Sequence, residues 1–127
     1  MLGILICVSH TIKTREYEFI VLSRVFIHKN RFSDASLLLN RLLCLYEKLK
    51  IPRGIVETTN LLAILAYRRL NEETAINYLE KSLSVGMEEG YVRSYVDELS
   101  PMVSLLELYI ENHKKEDRIT AYVRKLL

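Results

Sequence analysis

Aliphatic residues recur along this chain at steps of three and four, and very little interrupts them. Only 4 glycines and 2 prolines occur in 127 residues, and no stretch sustains the two-residue alternation of a half-buried strand. A helical period over nearly the whole length restricts the fold to packed helices. Turns must then fall where polar residues, Pro or Gly break the pattern.

Those breaks divide the chain cleanly. One helix is expected from about Arg15 to Lys29, with Phe19, Leu22, Val25 and Phe26 on its inner face. "NRFSDA" is a turn, with Ser33 as helix cap and Asp34 beside the positive helix start. The next helix, about Asp34 to Leu49, carries Ala35, Leu38, Leu39, Leu42, Tyr46 and Leu49 inward. Pro52 suits the first position of a third helix to Leu70, because its missing N–H has no intrahelical partner there. Ile55, Leu62, Ala63 and Ala66 form its face. Asn71 caps a fourth helix to about Val85, ended by Gly86, with Gly90 taking a positive φ. "SP" at Ser100 and Pro101 starts another helix, and "RITAYVRKLL" forms a last one after the polar turn "ENHKKED".

The first two helix pairs resemble each other. A displacement of 40 positions lays Leu22 on Leu62, Ser23 on Ala63, Ala35 on Ala75, Leu39 on Leu79 and Leu43 on Leu83. The alanine shared after each turn does not follow from leucine richness alone. Self-similarity at this period marks a helical repeat array. The small residues let helix axes approach closely, and bulk there would cost about 1–3 kcal/mol of overpacking. "FIVLSRVFIHKNRFSDASLLLNRL" resembles a tetratricopeptide repeat, with longer helices than that family's usual 34-residue unit allows. The fold class expected is all-α, antiparallel helical hairpins stacked as a tetratricopeptide-like right-handed superhelix. One domain spans 1–127, with repeats at about 15–50 and 52–86, a connector at 86–100, and terminal helices at about 101–112 and 116–127.

The connector is the least repetitive stretch. "EGYVRSYVDELSPMVSLL" resembles the end of the sensor region in MalT-like transcription regulators of the LuxR class, where a Gly-Tyr-x-Arg-x-Phe-x-Asp-Glu run leads into an apolar helix. Gly90, Tyr91, Arg93, Asp97 and Glu98 match, and Tyr95 stands for the phenylalanine. The resemblance covers about residues 15 to 112. It implies a sensor module whose partners are other domains of the same regulator, a protein partner or a small-molecule effector. It also implies that this chain is a piece of such a regulator, since no Gly-x-x-x-x-Gly-Lys-Ser/Thr phosphate loop occurs in it.

Tyr91, Arg93, Tyr95, Asp97 and Glu98 are accordingly the candidate binding residues, because arginine between tyrosines recognises carboxylates and rings. The alternative is structural: Arg93 pairs with Asp97 or Glu98 while the tyrosines pack on helices. Arg68 and Arg69 offset the negative end of their helix. No nucleophile, base and orienting group share a motif, so no enzyme and no cofactor are expected. His10, His28 and His113 lie apart without nearby cysteines, which argues against a metal. Cys44 is expected to be a buried hydrophobe, and Cys7 and Cys44 suit a reducing cytoplasm.

With 18 basic and 16 acidic residues the net charge is +2, too weak a field for direct nucleic-acid contact. "MLGILICV" is too short to cross a membrane. It is expected to fold back on the domain or to pair two chains as a homodimer. The remaining alternative is a tetratricopeptide-like protein–protein adaptor.

Overall fold

The computed structural model describes residues 18–96, 98–113 and 116–127. The apolar start, Cys7, His10, the first turn of the expected first helix and Asp97 lie outside the described residues. Every regular element among the described residues is an α-helix: α1 (18–28), α2 (Phe32–Leu49), α3 (Pro52–Arg68), α4 (Glu72–Glu89), α5 (Arg93–Val96), α6 (Leu99–Asn112) and α7 (Arg118–Leu126).

A repeating helix stop sets the architecture. Asn30, Lys50, Leu70 and Gly90 all have positive φ, between 54° and 71°. Around each, the following residue's N–H reaches back to a carbonyl one turn earlier: Arg31 to Phe26, Ile51 to Tyr46, Asn71 to Ala66 and Tyr91 to Gly86, at 2.8–3.0 Å. This is the Schellman arrangement, which satisfies carbonyls that a helix end would otherwise leave open. The four stops stand 20 residues apart, half the displacement seen in the sequence. Helices of 17 or 18 residues and very short turns fill each interval.

Restarts differ in chemistry. Pro52 opens α3, and the Asn71 side chain accepts from the Thr74 N–H at 3.2 Å to cap α4. Ser33 does not cap α2. The helix resumes at Phe32, with the Ala35 N–H bonded to the Arg31 carbonyl, so Ser33 falls inside the first turn. Arg31 instead bonds Asp34, 2.8 Å away. Ser100 is likewise inside α6, which starts at Leu99 because Glu98 already turns the chain through a bond to the Tyr95 carbonyl. Pro101 is tolerated in that first turn, where backbone N–H groups have no helical partner.

α3 is the centre of the molecule. Every residue from 58 to 66 is buried, since α2 and α4 flank the helix and α5 and α6 also contact it. Ser23, Ala35, Ala63 and Ala75, the small residues of the repeat, are fully buried. On α1 the inner stripe is Ile20, Ser23 and Ile27, while Leu22 and Val25 are each 41% exposed. Of the expected face, Phe19 and Phe26 pack half-buried against the core, while Leu22 and Val25 turn outward and Ile20, Ser23 and Ile27 take the buried positions. Leu38 is only half-buried and Leu49 is exposed, and Leu43 completes the α2 stripe. Cys44 is exposed. It lies on the outer stripe with Leu37, Arg41 and Lys48, opposite Leu39, Leu42 and Tyr46.

Candidate functional site

The connector takes its shape from a buried polar network. Asn60 on α3 donates through Nδ2 to the Ser94 carbonyl at 3.1 Å. Ser82 on α4 donates to Asn60 Oδ1 at 2.5 Å. The Tyr95 hydroxyl donates to the Ser82 carbonyl at 2.8 Å and lies 3.0 Å from Ser82 Oγ. Three elements are thus tied by groups that would be costly to bury unpaired. Gly86 makes room: a Cβ there would fall 2.2 Å from the Tyr95 hydroxyl. Gly86 is thus helical and buried inside α4, which ends instead at Gly90, where the backbone takes a positive φ.

Tyr95 is 1% exposed, and burial raises its hydroxyl well above the usual tyrosine range. Its ring meets Tyr122 edge-on, centroids 6.0 Å apart. The Tyr122 hydroxyl donates to the Tyr91 carbonyl, which fastens α7 to the connector. Burial raises Tyr122 as well. Tyr91 is half-buried against the core, and Arg93 is exposed on the four-residue α5. The short α5 replaces any strand over this stretch.

Glu98 goes elsewhere. Its carboxylate receives Arg24 of α1, Nη2 at 2.5 Å and Nε at 3.4 Å, with the Glu98 side chain only 8% exposed. Glu98 is therefore paired with Arg24 and not with Arg93. Both residues line a groove of about 160 Å³ between α1, α3 and the start of α6. Ile27, Leu61, Ile64 and Pro101 supply its apolar walls, and Arg24, His28, Arg68 and Glu98 its polar ones. Arg68 is held rigidly: Nη1 donates to the Ile27 carbonyl and Nη2 to Asn30 Oδ1, each at 2.9 Å. It caps the C-terminus of α1 across the interface, a stronger role than offsetting its own helix.

The four sequence candidates among the described residues are thus dispersed. Tyr91 and Tyr95 hold the connector, Arg93 faces solvent, and Glu98 faces the groove. Arg24 is not among the sequence candidates, and His28 enters only among the histidines weighed against a metal, although their four-residue spacing puts them on one face of α1. Among the described residues that line the groove, Arg24 and Arg68 stand with the one carboxylate of Glu98, a lining that favours a partner with negative charge. Among the described residues no group of three His, Cys, Asp or Glu side chains is placed to hold a metal, and no helix is long and apolar enough to cross a membrane.

Compared with known proteins, residues 7–112 match the family model described as "MalT-like TPR region". No curated protein and no solved structure matches the chain.

Proposed function

Since the chain belongs to the MalT-like TPR region family, we propose that it is the regulatory sensor and interaction module of a MalT-like, LuxR-class transcription regulator. In this reading it is the C-terminal part of the sensor region, with α1–α2 and α3–α4 as antiparallel hairpins stacked in a right-handed superhelix. Repeat regions of this kind are in general binding surfaces, and their function is sought in contacts rather than in catalysis.

The observation that carries the reading is the Arg24–Glu98 pair in the groove lining. It joins α1 to the start of α6, 74 residues later, and the Arg24 side chain is 39% exposed, within reach of a competing anion. An acidic segment of a neighbouring domain, or a small effector, that takes Arg24 from Glu98 favours one arrangement of α1 against α6. Differential binding of this kind shifts a resting population towards an active one. Arg93, exposed on α5, adjoins the same connector and offers a second cationic contact. The module works in the cytoplasm without touching DNA, and its apolar N-terminus pairs chains or folds back.

The test places the chain within a MalT-like regulator whose output is read by a reporter. Glu98→Gln and Arg93→Ala proteins are expected to stay folded and to change the effector response or the basal output. Unchanged output in both variants would refute the regulatory reading. An adaptor, the second reading, would bind a protein partner with no small molecule present.

A further inference from the structure

A second cleft, of about 310 Å³, lies between α2 and the α3–α4 turn. Leu62, Leu65 and Ala66 form its floor, all buried. Arg69, Asn71 and Tyr78 stand on its rim, with the hydroxyls of Ser36 and Thr74. Among the described residues no carboxylate lines it. Glu72 and Glu73, which follow Asn71, are exposed and are not among the residues that line the cleft. Asn71 uses its Oδ1 to cap α4, so its side chain offers the cleft only N–H donors. The Arg69 guanidinium stands 5.7 Å from the centre of the Phe32 ring, an attraction that restrains its swing.

The geometry points to a binding site for a small organic carboxylate with a short apolar body. The volume lies at the lower end of the range for ligand pockets, about 300–1,000 Å³. An apolar floor takes the hydrocarbon. The forked guanidinium and the Asn71 amide take the carboxylate, a pairing whose charge-assisted hydrogen bonds are the strong kind. The described lining offers a cation no negative charge.

The cleft is distinct from the Arg24–Glu98 groove yet shares α3 with it. Leu61, Ile64 and Arg68 line the groove, and Leu62, Leu65 and Arg69 line the cleft. Each set is displaced by one residue, about 100° round the helix. A ligand on one flank of α3 thereby bears on the helix that carries the other. That regulatory use rests on the sensor reading; the binding chemistry does not.

The test is titration of the 127-residue protein with isovalerate, phenylacetate and the uncharged isovaleramide, followed by amide resonances. A short peptide ending in leucine, as free acid and as amide, distinguishes a chain terminus from a free metabolite as the source of the carboxylate. The acids are expected to shift signals around Leu62, Arg69 and Thr74 saturably, with the amides weaker by about tenfold or more. Arg69→Gln should weaken the acids about tenfold. Asn71→Asp, which keeps the helix cap but sets a negative charge on the rim, should do the same with the fold intact. Binding by either acid supports the site. No saturable response to any acid, equal responses to acid and amide, or wild-type affinity in Arg69→Gln overturns it. Carboxylate binding without any change in regulator output would instead count against the sensor reading alone.

Discussion

Replacing Gly86 with alanine sets two effects of opposite sign against each other. In a helix interior, alanine is favoured over glycine by about 1 kcal/mol, and Gly86 has helical backbone within α4. On propensity alone the variant would be more stable. The new Cβ, however, would lie 2.2 Å from the Tyr95 hydroxyl and 3.0 Å from two ring carbons. The ring must move, which costs about 1–3 kcal/mol in overpacking. It also breaks the hydroxyl's bond to Ser82, worth about 1 kcal/mol, in a buried setting. Steric and polar losses outweigh propensity, and a net destabilisation of about 1–3 kcal/mol is expected. Tyr95→Phe removes the atom in closest conflict. Gly86→Ala should therefore cost at least about 1 kcal/mol less in the Tyr95→Phe background than in the wild type. Urea unfolding of the four proteins gives this coupling directly. Additivity within about 0.5 kcal/mol, or a more stable Gly86→Ala protein, would refute the claim that Gly86 exists to admit Tyr95.

The repeated helix stop makes a paired prediction. Leu70 is 90% exposed with φ 61°, so Leu70→Gly should stabilise by a few tenths up to about 1 kcal/mol, whereas Gly90→Ala, at φ 71° with open space around it, should cost about 1 kcal/mol; thermal unfolding checks both. Asp117 accepts from the Thr120 N–H and hydroxyl, which hold its carboxyl below the usual range. Because the folded form has the lower pKa, its contribution is present above the unfolded value near 3.8 and disappears as pH falls through the folded one. Asp117→Asn should keep the cap and flatten that part of the acid-stability profile, as measured by unfolding at successive pH values. Cys44, being exposed, should react with a thiol reagent in the native protein without unfolding; protection equal to that of a core thiol would contradict the placement of α2.

The sequence made the helices and their order legible because aliphatic spacing and turn residues report directly on both. It also marked Ala35, Ala63 and Ala75 as close-packing positions, all of them fully buried. What it missed were choices settled by three-dimensional neighbours. Three of the four helix stops use Asn30, Lys50 and Leu70 instead of glycine, so residue type gave little warning of the 20-residue period. Glycine usually marks a stop, whereas the role of Gly86 depends on a tyrosine nine positions on. Leu22, Val25 and Cys44 differ from expectation for a related reason: a helix rich in apolar residues looks apolar on several sides, and packing selects one. Glu98 was noticed, but its partner Arg24 lies 74 positions away, beyond the reach of any local pattern. The rim residues Arg69 and Asn71 were read as helix-end chemistry, which they are, and their shared cleft becomes visible only once α2 is in place.

The interaction-module reading rests most on the groove beside the Arg24–Glu98 pair, and a photo-reactive amino acid at His28, on its wall, tests that directly. The same probe at Ser84, exposed on α4, serves as the control. In cells expressing a MalT-like regulator that carries this chain, cross-links from His28 to another domain of that regulator, absent from Ser84, are the predicted result. Equal cross-linking from the two positions, or none from His28, would contradict the account.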